Sequence, residues 1–201
     1  MIPFCLNCGC VGKMTELHEE GYFDYLDLAH SAIEEKRSSA ICPHCKSTNM
    51  ILCDEEIMNV VYKLNKLGYV TRHSCSGHYQ DGYRSMYIDF DEYYPDLEVF
   101  CQNSKLFYLS RFALYMTEDS ILSFRSENST SEIEYPSIDD YIGGGSIRYL
   151  RDACAIYLRS YIFEDEFPNL TFVNDDIENR KVNIFNELRS LCNFLEERRK
   201  E

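Results

Sequence analysis

Hydrophobic and polar positions alternate with two different periods along this chain, and the change of period maps its elements. Ile57, Val60, Val61, Leu64 and Leu67 recur at i, i+3, i+4, i+7 and i+10, the spacing of one apolar helical stripe, and predict an amphipathic helix over 54–67. Asp54, Glu55 and Glu56 suit the positive end of that helix, and Gly68 falls where a left-handed cap is expected. Strands are expected over 69–73 and 86–90, the latter alternating across two faces. Pro95 followed by Leu97, Val99 and Phe100 predicts a short helix from about 95 to 104, while Leu106–Met116 fits helix or strand. Helical spacing returns at Ile147, Leu150, Cys154, Tyr157 and Tyr161, predicting a helix over 147–161, and at Val182, Phe185, Leu188, Cys192 and Leu195, predicting another over roughly 175–200. The Ser-, Glu- and Asp-rich stretch 126–142, with Pro136, reads as a long surface loop.

Composition narrows what such a chain does. At 201 residues it is long enough for one domain plus an appendage. Its 16 Tyr and 12 Phe make a packed core feasible. Asp and Glu number 34 against 20 Lys and Arg, which disfavours a long groove for duplex nucleic acid, since that needs many phosphate-neutralising cations. The acidity lies upstream: residues 147–201 hold nine basic and eleven acidic side chains, so a compact anion pocket stays compatible with the charge. No apolar run reaches the roughly 18–20 residues of a membrane span, and Met1–Cys5 has neither the charged nor the apolar region of a secretory signal. A cytoplasmic protein is expected. In a reducing compartment its ten cysteines point to metal ligation or buried thiols in place of disulfides.

Spacing selects four of those cysteines. Cys5-Leu6-Asn7-Cys8 and Cys42-Pro43-His44-Cys45 are two C-x2-C elements flanked by turn-forming residues, and together they supply the four thiolates of a tetrahedral zinc site. Residues 1–53 resemble a zinc ribbon. The 33 residues between Cys8 and Cys42 exceed what a compact ribbon needs, and Phe23, Leu26, His30 and Ile33 predict a helix in that insert. Cys10, His18 and Cys53 are alternative ligands. A site filled by four thiolates leaves no position for a reacting water, so the zinc would be structural.

Ser74-Cys75-Ser76-Gly77-His78 stands at the end of the first predicted strand and is followed by a polar loop containing Tyr83 and Arg84. Small hydroxyl residues and a glycine at a strand end let a backbone approach a ligand closely and offer it several donors. A tight turn with a buried Cys75 accounts for the same residues. Leu64-Asn65, then Gly68-Tyr69-x-Thr71, then Ser74-Cys75-Ser76-Gly77 also resemble the N-terminal half of the wybutosine-synthesis methyltransferase family over about 35 residues, with His78 where the family has arginine. Ile121–Arg125 and the helical pattern at 147–161 are similar to its later strand and helix pair. The resemblance implies S-adenosylmethionine as cofactor and a site beside Ser74–Gly77. Cys75 with His73 or His78 has the composition of a nucleophile and its base, or of a second metal site.

Gly143-Gly144-Gly145-Ser146 precedes the predicted helix at 147, and a glycine run feeding a helix N-terminus is a ready anion site. Gly144, Gly145, Ser146, Arg148 and Arg151 are therefore candidate phosphate contacts, although the same residues suit a linker, an ordinary N-cap and a solvated face.

The expectation is an α+β protein with a zinc ribbon at 1–53 packed on a mixed ligand-binding domain at 54–201. Its leading function is binding a small nucleotide or other phosphate-bearing molecule. The alternatives are an S-adenosylmethionine-dependent methyltransferase and a zinc-ribbon adaptor that engages a protein partner. The C-terminal stripe would either close the core or pair with a second copy of the chain.

Overall fold

A computed structural model describes residues 2–11, 41–78, 86–117, 121–129, 138, 147–159 and 174–200. The elements are β1 (Ile2–Cys5), β2 (Met50–Cys53), α1 (Met58–Lys66), β3 (Thr71–Cys75), β4 (Tyr87–Phe90), α2 (Pro95–Asn103), β5 (Phe107–Met116), β6 (Ile121–Arg125), β7 (Arg148–Leu158) and α3 (Asn174–Arg198). The class is α+β. Strands β1 and β2 form a two-stranded antiparallel sheet, and the remaining strands form a five-stranded sheet in the order β3-β4-β7-β5-β6. The insert helix expected around Phe23–Ile33 and most of the loop expected at 126–142 lie outside the described residues.

Packing divides the chain into two compact units, Met1–Met58 with Arg111–Ala153, and Asn59–Ser110 with Cys154–Glu201. Each is assembled from two stretches of chain, a different cut from the module boundary at residue 53. In the first unit β1 and β2 pair from Ile2↔Cys53 to Cys5↔Met50, which brings the two C-x2-C turns to one end of the ladder. The same unit holds the β5–β6 register from Phe112↔Arg125 to Met116↔Ile121, with Phe112, Leu114 and Phe124 buried.

The second unit has its core between a sheet face and three helices. Ile88 and Phe90 of β4 lie opposite Ile156 and Cys154 of β7, and all four are buried. This is the helix-covered face: Phe90 meets Tyr94 edge to face at 5.9 Å, and the Cys154 thiol donates to the Glu92 carbonyl at the entrance to α2. Val60, Val61 and Leu64 of α1, Leu97 and Cys101 of α2, and Ile184, Leu188, Leu191 and Leu195 of α3 supply the rest of the buried apolar surface. Lys63 joins α1 to α3 through Asn193 and Glu196 at 3.2 and 3.1 Å, and the Ser104 hydroxyl donates to Glu187.

The end of α1 is built to launch β3. Gly68 has φ 83°, and the Tyr69 N–H reaches back to the Leu64 carbonyl at 3.0 Å, the long bond of a left-handed helix cap. Asn65 then bridges helix and strand: its amide N–H groups reach the Val61 carbonyl and the Thr71 hydroxyl, both at 2.8 Å, and its oxygen accepts from the Thr71 N–H at 3.3 Å. Asn65 and Thr71, two residues that carry the methyltransferase resemblance, thus work here as a structural clamp.

Three expectations require correction. Helix α1 starts at Met58, because residues 54–57 form a turn closed by the Ile57 N–H on the Asp54 carbonyl, and Asp54 is buried. Residues 148–158 form strand β7 where a helix was expected. Ala153–Ile156 are buried at four consecutive positions, so both strand faces are covered, and a run apolar on both faces satisfies helical spacing by coincidence. In α3 the apolar stripe runs through 184, 188, 191 and 195 and takes Cys192 with it, whereas Val182 is exposed. That stripe closes the core of the second unit.

Candidate metal centre and ligand segment

The two C-x2-C turns are near-copies in backbone. The Cys5 N–H donates to the Cys10 carbonyl at 2.9 Å and the Gly9 N–H to the Cys5 carbonyl at 2.9 Å; the second turn repeats this with Cys42 to Ser47 at 2.8 Å and Lys46 to Cys42 at 2.9 Å. Gly9 (φ 76°) and Lys46 (φ 60°) occupy the same left-handed position after the second cysteine of each turn. The glycine is legible in sequence and the lysine is not, since a non-glycine residue adopts this conformation only when its surroundings demand it.

Those turns bring the Sγ atoms of Cys5, Cys8, Cys42 and Cys45 within 4.8 Å of one another. Cys5 lies 3.6 Å from Cys45 and Cys8 lies 3.7 Å from Cys42. A disulfide needs sulfurs at about 2.05 Å. A tetrahedron with metal–sulfur bonds of about 2.3 Å has edges of about 3.8 Å, so the spacing is that of a four-thiolate metal site. Burial pushes the Cys5 thiol up to about 12, while the Asn7 amide on its sulfur draws Cys45 down to about 6. A cation held among the four sulfurs would favour the thiolate form of Cys5. Cys10 belongs to a separate grouping with Cys8 and His44, and the Cys53 thiol is turned to the Asp54 carbonyl at 3.5 Å. His18 lies outside the described residues. The region can therefore hold a structural metal ion on Cys5, Cys8, Cys42 and Cys45.

Ser74 and Cys75 end β3, Ser76 and Gly77 are buried, and His78 is exposed. Gly77 (φ 79°) and His78 (φ 42°) form a left-handed pair that turns the chain sharply off the strand. The turn folds back on Cys75: the Gly77 N–H points at its sulfur at 3.3 Å, and His78 Nε2 stands 3.8 Å from that sulfur. Of the other candidate ligand contacts, Tyr83, Arg84, Gly144, Gly145 and Ser146 lie outside the described residues. Arg148 is exposed and Arg151 half-buried on β7, so neither stands in the first turn of a helix.

Sequence reading passed over Asp89. In the register of the second unit, Cys75 lies opposite Tyr87, Tyr87 opposite Tyr157, and Asp89 opposite Ala155, so Cys75, Tyr87, Asp89 and Tyr157 share the sheet face away from the helices. A β-bulge sets two residues, Arg72 and His73, against the single Asp89 between the pairs Thr71↔Phe90 and Ser74↔Ile88. Burial raises the Asp89 carboxyl to about 7 in spite of the nearby Arg72 charge and the hydrogen bond from Tyr157. The alternation Tyr87-Ile88-Asp89-Phe90 marks Asp89 as turned away from the core; the bulge leaves no sequence signal.

The fold and the cysteine cluster define an α+β protein with four cysteines placed to hold a metal ion. Comparison with protein-family models, curated proteins and solved structures finds no match, so neither the ribbon nor the methyltransferase resemblance gains support there. Among the described residues no helix is long and apolar enough to cross a membrane.

Proposed function

We propose that this is a zinc-stabilised cytoplasmic protein that binds a small nucleotide or another phosphate-bearing molecule at Ser74–His78. Zinc is the metal that suits four thiolates in a tetrahedron with no open position, which gives it a folding role. The observation that carries the ligand reading is the left-handed pair Gly77–His78 at the end of β3. A non-glycine residue in that conformation is costly, and such strain collects at ligand-contacting turns. The exposed His78 ring is a hydrogen-bonding group of the kind a phosphate or ribose uses. The glycine run at 143–146 loses its helix and with it the dipole argument for an anion site, so the proposal rests on the β3 end.

Isothermal titration of the zinc-loaded chain against nucleoside mono-, di- and triphosphates, with S-adenosylmethionine as a further arm, tests this. Binding of one nucleotide class, weakened about tenfold or more by His78→Ala, is the expected result. Binding of S-adenosylmethionine alone would move the assignment to the methyltransferase alternative. No heat across the whole panel overturns the ligand reading and leaves the adaptor alternative, in which retention of a protein partner depends on Cys42 and metal.

A further inference from the structure

We propose that Cys75 is a nucleophilic thiol with His78 as its base, placed at the edge of a sheet face that receives the ligand. Three features of the second unit support this.

The first is the geometry of the pair. His78 Nε2 lies 3.8 Å from Cys75 Sγ, a distance that a small rotation of the exposed ring shortens to a hydrogen bond, and the Gly77 N–H at 3.3 Å favours negative charge on sulfur. The two left-handed residues are what create it, since an extended continuation of β3 would carry the imidazole away from the thiol.

Access is the second. Cys75 is half-buried and His78 exposed, whereas Cys101, Cys154 and Cys192 of the same unit are buried. Burial pushes Cys101 up to about 12 and Cys192 up to about 11, which makes them inert. Among the described thiols of this unit, Cys75 is the one that combines access with a base.

The third is independent of the cysteine and points to a ligand. The face that carries Cys75 also carries a row of aromatic rings, with Tyr87–Tyr157 and Tyr108–Tyr157 centroids both 5.7 Å apart. Two residues along β4, the Asp89 carboxyl is buried beside the Arg72 charge and hydrogen-bonded by Tyr157, which closes that end of the face. The half-buried Tyr87, Tyr108 and Tyr157 rings suit the stacking of a planar ring, so the class of molecule this face fits is an aromatic heterocycle with an electrophilic carbon presented to Cys75. Identifying the occupant rests on the nucleotide reading; the reactivity of the thiol does not.

In the covalent step the Cys75 proton passes to His78 Nε2, with the other ring nitrogen carrying the imidazole hydrogen, and the sulfur electron pair attacks the electrophile. With iodoacetamide as probe, the S–C bond forms, the C–I bond breaks with its electron pair on iodide, and the imidazolium releases its proton to water.

The zinc-loaded full chain is exposed to iodoacetamide at pH 7, with glutathione as the reference thiol, and the modified residue is located by peptide mass. Cys75 is expected to react about tenfold or more faster than glutathione. His78→Gln, which keeps a polar side chain without a base, is expected to bring the rate down to that of glutathione, and Cys75→Ser to remove the label. Reaction of Cys75 at the glutathione rate, or equal rates in the parent and His78→Gln, overturns the proposal. A nucleotide panel added before the probe separates the two readings. Fast alkylation that no nucleotide slows upholds the nucleophile and overturns the nucleotide reading, whereas slow alkylation that a nucleotide slows further does the reverse.

Discussion

The C-x2-C turns and the end of β3 both present sulfur on a short left-handed turn, and they differ in what faces that sulfur. In the first region the same turn is built twice, on Cys5–Cys10 and on Cys42–Ser47, and each cysteine sulfur is met by others at about the edge length of a thiolate tetrahedron. In the second the turn is built once, and sulfur is met by an imidazole. Four like donors converging on a point repel one another once ionised, and a cation among them would offset that repulsion. A thiol beside a base is stable alone and sets up proton transfer. One side chain thus serves as a folding element or as a reagent according to its neighbour.

The sharpest break of this comparison is metal removal. Structural zinc contributes roughly 10–16 kcal/mol in small zinc modules at neutral pH. Chelation, or Cys42→Ser, is expected to take metal content from one ion per chain to none in native mass spectrometry and to abolish amide-exchange protection over β1 and β2. Protection in β3 and β4 is expected to survive, because the second unit has an apolar core of its own. Loss of protection in both regions would mean that the metal holds more than the knuckle pair.

Next in size is the core of the second unit. Leu188→Ala removes a fully buried side chain and is expected to cost about 2–5 kcal/mol in urea unfolding, with metal content unchanged.

Asp89 supplies a pH signature for the β3–β4–β7 face. Its carboxyl, raised from 3.8 to about 7 by burial, binds its proton more tightly in the folded chain than in the unfolded one. Its contribution to stability is fully present below pH 4 and is lost as pH rises through about 7, with a slope of at most about 1.4 kcal/mol per pH unit. Urea unfolding of Asp89→Asn across this range is expected to show a flatter pH dependence than the parent; the same slope in both would place the titration elsewhere.

Gly68→Ala is expected to cost about 1–2 kcal/mol, since an L residue is strained at φ 83° and its Cβ would stand 2.4 Å from the movable Arg199 Nη2. Smallest of all, Cys75→Ser is expected to change stability by less than about 1 kcal/mol, because the thiol is half-buried at a strand end. A large loss there would make Cys75 a structural residue and erase the contrast with Cys42.

Legibility follows how local each determinant is. The pair of C-x2-C turns, the Gly68 cap, the Pro95 helix and the strand Tyr87–Phe90 were readable because turn closure, missing N–H groups and face alternation act within a few residues. The C-terminal helix was readable as an element while its stripe was misplaced, since the apolar residues at 182 and 184 offer two registers and only the packing partners choose. Residues 148–158 failed because a strand buried on both faces lacks the period-two signal. Asp89 was unread as a site residue because a single extra residue in β3 brings Arg72 and His73 against it, and a bulge follows from strand pairing.

What the sequence determined by itself is therefore the local chemistry: four thiols on paired turns with metal-ligand spacing, a strand ending in small residues and histidine, and enough apolar periodicity for an α+β fold. Tertiary structure decided which sulfurs meet, which face of each element is covered, and that His78 turns back on Cys75 while Asp89 is buried beside Arg72 and Tyr157. Backbone preferences act over a few residues, whereas convergence, burial and register are set by chain segments tens of residues apart, and only the folded chain brings those together.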